Sequence, residues 1–106
     1  MAKVWLCREG DKPTLGGPAY SLSLDECIEK LKLSESRFLC EPSTTPRFGD
    51  LGDQLGAVRG YQYVVVEIGQ DEIQGKHSKW RPGFYLSPLS PGEAIEHLGP
   101  PRLPWA

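Results

Sequence analysis

The segment from Lys76 to Tyr85, KHSKWRPGFY, holds the residue types most able to do chemistry in this 106-residue chain. Lys79 and Arg81 can neutralise a phosphate or carboxylate, and Trp80 can offer a stacking face. His77 can exchange a proton near neutral pH, and Tyr85 brings a phenol. A small metal-independent ribonuclease needs such a general acid or base beside cationic and phenolic groups. Proximity in sequence does not make a tertiary site, so no catalytic residue is assigned. Arg59 and Tyr61 join His77, Lys79, Trp80, Arg81 and Tyr85 as candidate ligand-binding residues, on the condition that the strand through 61–68 pairs with this segment. The competing reading is a solvated hairpin arm whose aromatic residues only anchor it to the core.

Other constellations carry less. Cys7, Cys27, Cys40, His77 and His97 have no local spacing of metal ligands, so neither a metal nor a cofactor is expected. The three cysteines fall within strands or on an apolar helix face and read as small core hydrophobes with raised thiol pKa values. His97, next to Leu98, is placed to meet a helix dipole rather than to catalyse. Neither Leu15-Gly16-Gly17-Pro18 nor the glycines at 49, 52 and 56 match a phosphate-binding fingerprint. The carboxylates are scattered and form no pair of the glycosidase kind.

Balanced charge narrows the classes further. Twelve basic and fourteen acidic residues give a net charge of −2, and neither half is a polybasic arm. A general electrostatic grip on nucleic acid is therefore not expected, although a local patch remains open. An odd number of cysteines with no CxxC, no signal-peptide core and no apolar run longer than Tyr63–Val66 point to a reduced, cytoplasmic chain without a membrane span.

The elements that must position these residues are short. Glycine (12) and proline (10) are abundant, yet neither occurs from Ala19 to Glu41 or from Tyr61 to Ile68. Strands are expected over Lys3–Arg8, Ala19–Leu22, Arg37–Cys40, Tyr61–Ile68 and Gly83–Leu86. The fourth is apolar on both faces and reads as central. Gly69–Glu72 is expected to turn the chain into a return strand starting near Ile73 and interrupted at Gly75.

One helix is predicted over Ser23–Leu33, with apolar residues at Leu24, Cys27, Ile28 and Leu31. Another is predicted over Ser90–Gly99, with Ala94, Ile95 and Leu98 facing the core. Ser23 with Glu26, and Ser90 with Glu93, form capping boxes; Pro91 at the first helical position and Gly99 at the stop complete the second helix. The two helices share the pattern S-x-x-E-x-I-E-x-L; a duplication would produce it, but capping and amphipathic rules alone fix most of the matched positions. Residues 42–60 form a long loop, functional or mobile, with a helical turn expected near Asp53–Val58. Residues 100–106 form an extended tail that Leu103 and Trp105 could dock.

The expected architecture is a single α+β domain over residues 1–106. A mainly antiparallel sheet of four to five strands carries two short helices packed on one face. For function, the absence of any catalytic motif favours a small soluble, non-enzymatic binding or adaptor protein acting through a protein partner or self-association. One alternative is RNA or single-stranded DNA binding, with or without RNA cleavage, through residues 76–85. Another is small-molecule binding between the sheet and the 42–60 loop, with Arg59 and Tyr61 contributing.

Overall fold

A computed structural model describes residues 1–47, 58 and 60–102. Five antiparallel strands form one sheet in the order β2-β1-β4-β5-β3. They are β1 (Ala2–Cys7), β2 (Tyr20–Leu22), β3 (Phe38–Cys40), β4 (Tyr63–Ile68) and β5 (Gly83–Leu86). Two helices, α1 (Leu24–Lys30) and α2 (Pro91–Leu98), follow β2 and β5. The chain is thus an α+β domain of the expected kind. No helix among the described residues is long and apolar enough to cross a membrane.

The sheet is buried on both faces because β1 and β4 are apolar at odd and even positions alike. On one face Ala2, Val4, Val64, Val66, Ile68 and Tyr85 pack with Leu24, Cys27 and Leu31 of α1 and Ala94 of α2. On the other, Trp5, Cys7, Tyr63, Val65 and Phe84 form a second cluster. The alternation fixes register: Val4 pairs with Val66 and Trp5 with Val65, so a one-residue slip would exchange the two clusters.

Both helices begin on a capping serine. Ser90 Oγ accepts from Glu93 N while Glu93 Oε1 accepts from Ser90 N, each at 3.2 Å, a full capping box. The Ser23 box differs from expectation: Ser23 Oγ accepts from Glu26 N but donates to Glu26 Oε1, so the carboxylate meets the hydroxyl rather than the Ser23 amide. Helix α1 also stops earlier than its apolar pattern, because Lys32 adopts a left-handed φ of 56°.

The return strand near Ile73 does not form. Residues 70–72 and 75–77 make 3₁₀ turns, and Gly75 sits at φ 56°. This stretch has no alternating apolar pattern to hold it against the sheet; Ile73 and Trp80 fasten it to the helix-side core. The helical turn expected near Asp53–Val58 and the docking of Leu103 and Trp105 lie outside the described residues. The tail up to Arg102 runs beside β2, where Arg102 N donates to Ala19 O at 3.0 Å.

Candidate functional site

The residues of the 76–85 segment face different ways. Trp80 is only 8% exposed and Tyr85 1%. Trp80 meets Tyr85 edge-to-face at 5.1 Å between centroids, and Tyr85 meets Phe38 likewise at 5.0 Å. The Tyr85 hydroxyl donates to Arg81 O at 2.8 Å and accepts from Arg81 N at 3.0 Å, which closes the turn into β5. Burial is the main force raising the Tyr85 pKa. These two aromatics are core residues and offer no open stacking face.

The charged members diverge around that core. The Arg81 guanidinium lies 4.0 Å from the Phe38 ring centroid, against β3. His77 Nε2 lies 3.2 Å from Asp25 Oδ1 of α1, close but off line for a hydrogen bond. Lys76 Nζ lies 3.0 Å from the same oxygen. Hydrogen bonding from Lys76, followed by the charges of Lys76 and His77, holds the Asp25 carboxyl below the usual range. Lys79 is exposed. The segment is tethered to α1 on one side and to β3 on the other.

Tyr61 stands at the far end of the sheet. It precedes β4, whose Ile68 end adjoins Gly83. Five residues of strand, roughly 17 Å, separate Tyr63 from Ile68. Tyr61 does not join the 76–85 segment, and Arg59 lies outside the described residues. Tyr61 instead closes a tight turn with Val58, their backbone groups exchanging hydrogen bonds of 2.9 and 3.3 Å. Its ring lies beneath Arg8, with the guanidinium carbon 4.8 Å from the centroid.

Two cavities open on either side of this ring. One, of about 250 Å³, lies between the end of β1 and the 8–19 connection; its lining includes Trp5, Cys7, Arg8, Lys12, Leu15 and Tyr61. The other, of about 340 Å³, is mostly apolar and lies between Leu6, Val58, Tyr61, Ile95 and Pro100–Pro101. Ile95, expected in the core, is half-buried and lines this second cavity.

The first cavity follows from where pairing stops. The β1–β2 ladder runs Ala2–Leu22, Lys3–Ser21 and Val4–Tyr20 and ends there. Continued, it would set Pro18 opposite Leu6, and proline has no N–H to donate. The chain therefore leaves β1 at Ala19 and returns through Gly16 and Gly17, which line the cavity. Residues 9–18, EGDKPTLGGP, are turn-forming types throughout. The usable signal was Pro18 ending a strand three residues long, with Arg8, Asp11 and Lys12 just beyond the partner strand.

The thiols are chemically quiet. Burial is the main force pushing Cys7 and Cys27 up to about 12. Cys40 is less enclosed than expected, with its Sγ donating to Thr44 O. His97 meets a helix terminus, but not its own: Nδ1 lies 3.0 Å from Lys30 O, at the end of α1. Among the described residues no group of three or more His, Cys, Asp or Glu stands where it could hold a metal ion. No protein-family model matches the chain, and no curated protein or solved structure is significantly similar to it.

Proposed function

We propose that this chain is a non-enzymatic binding domain that takes a small molecule beside Tyr61. The observation that carries this reading is the position of the Tyr61 ring, at the seam between a mixed-charge cavity and an apolar one. Concave sites of this make-up, an apolar wall with a few polar groups, are where small ligands bury most of their surface. The nucleic-acid alternative is less well supported, since Trp80 and Tyr85 are core residues and stacking needs an open aromatic face. A protein partner is also less well supported. Among the described residues the large exposed apolar side chains are Met1 and Leu15, at opposite ends of β1.

A fragment screen read by amide chemical shifts tests the proposal. Binding fragments should move Tyr61, Val58 and Ile95 or the 8–19 connection, and should raise the melting temperature with concentration. Shifts confined to residues 76–85, or tight binding of an RNA oligonucleotide at low salt without any effect at Tyr61, would overturn it.

A further inference from the structure

We propose that the cavity beside Trp5 binds a small oxyanion, a carboxylate or phosphate, carried on a flat apolar body. This rests on the small-molecule reading above and names the chemistry of the ligand. Trp5 lines the cavity and is 7% exposed. Its indole Nε1–H is buried and meets no acceptor. Leaving such a donor unpaired is unfavourable, so an acceptor entering beside it is favoured.

The rest of the lining asks for the same partner. Arg8 and Lys12 carry only donors. The Cys7 thiol stays protonated, because burial holds its pKa near 12, and it adds no negative charge. Asp11 is the one acid among the described lining residues, and its Oδ2 already accepts from Arg8 N at 3.2 Å. Among the described lining residues two cations stand against one carboxylate. Leu15, Pro13 and the Trp5 and Tyr61 rings supply apolar walls for the body of the ligand. A volume of about 250 Å³ suits one ring with one acidic group, not a nucleotide.

The 8–19 connection forms one wall of the cavity. It has one turn at each end of the 8–15 stretch, Asp11 N to Arg8 O at 3.0 Å and Leu15 N to Lys12 O at 3.2 Å. Its last residue is tied to β1, where Ala19 N donates to Val4 O at 2.7 Å.

Indole N–H resonances in a nitrogen–proton correlation spectrum give the test, with Trp5 assigned through Trp5→Phe. The probes are benzoate, phenyl phosphate and neutral benzamide, against the intact chain. Benzoate or phenyl phosphate should move the Trp5 N–H saturably and leave Trp80 in place, with benzamide weaker by about tenfold or more. The tighter of the two anions identifies the acidic group. Arg8→Gln combined with Lys12→Gln should cut anion affinity about tenfold in protein whose amide spectrum shows it folded. Benzamide binding at Trp5 as well as the anions do would overturn the oxyanion and leave the small-molecule reading standing. Silence of both Trp5 and Tyr61 towards every probe would count against both.

Discussion

The two ββα units, β1–β2–α1 and β4–β5–α2, can be laid on one another almost residue by residue. Moving Ser23–Leu31 onto Ser90–Leu98 also moves Leu22 onto Leu89 and Tyr20 onto Ser87. The β1–β2 pair Val4–Tyr20 then falls on Val64–Ser87, and Ser87 N does donate to Val64 O at 2.9 Å. Trp5 falls on Val65, its own partner across the β1–β4 ladder, so the relation turns about that pair. The helix ends correspond as well: Lys32 and Gly99 both take positive φ, 56° and 84°. Each unit also closes the other's helix. The Tyr20 hydroxyl donates to Gly99 O at 2.7 Å, and Ser87 Oγ donates to Leu31 O at 2.6 Å.

What differs is the connection between the paired strands. The β4–β5 ladder continues from Val65–Leu86 out to Ile68–Gly83, and Trp80 plugs the space beyond. The β1–β2 ladder ends at Val4–Tyr20, and a cavity opens beside the end of β1. The same supersecondary unit is zipped and filled in one copy and left open in the other. The open copy holds the proposed ligand cavity, and the zipped copy shows what the opening gives up in strand pairing.

The largest expected effect tests whether the helices contribute equally. Leu31 is fully buried while its counterpart Leu98 is half-buried. Leu31→Ala should cost about 3–4 kcal/mol, and Leu98→Ala about half of that, in urea unfolding. Equal losses would mean that α2 is as deeply packed as α1.

Next come the crossed hydroxyls. Ser87 is wholly buried, and its Oγ also accepts from Leu89 N at 3.2 Å. Ser87→Ala strands a carbonyl and an amide and should cost about 2–3 kcal/mol. Tyr20→Phe frees only a half-buried carbonyl and should cost about 1 kcal/mol. A larger loss at Tyr20 would reverse the assignment of the tighter closure. At the helix ends, Gly99 combines φ 84° with ψ −171°, a conformation nearly confined to glycine, so Gly99→Ala should destabilise by about 1–2 kcal/mol. Lys32→Gly should stabilise by about 0.5 kcal/mol, since relief of the left-handed strain exceeds the entropy glycine adds to the unfolded chain. Calorimetric melting of the pair reads both signs.

Much of this frame was legible in the residues. Serine caps, the i, i+3, i+4, i+7 pattern of α1 and the run YVVVEI gave the helices, the central strand and the antiparallel sheet, because local capping and periodicity act within a few residues. The site was harder to read. Trp80 and Tyr85 have the types of a binding surface, and only the packing of Phe38 between β3 and β5 reveals them as core. Trp5 and Arg8 were hidden for the converse reason. Their place in a cavity lining depends on a strand pair failing to extend past Pro18, which is a property of two segments together and not of either alone.

The smallest effect concerns what holds the closed connection shut. Asp25 of α1 reaches across to Lys76 and His77 in the 69–82 connection, whereas α2 has Gly92 at the matching position and no carboxylate to reach towards 8–19. The Asp25 carboxyl is held below its usual range, so its contribution is present above the unfolded carboxylate pKa and is lost as pH falls through the lowered folded value. Asp25→Asn should therefore speed amide exchange at 74–79 near neutral pH, because the ion pair is gone. At acid pH, where the wild-type carboxyl is itself protonated, the two proteins should exchange alike. The 8–19 connection should be indifferent to the substitution at either pH. A change there would mean that the two connections are coupled through the sheet rather than fastened independently. Being exposed, the Asp25 pair is weakened by salt, so raising ionic strength should narrow the difference at 74–79 as acid does.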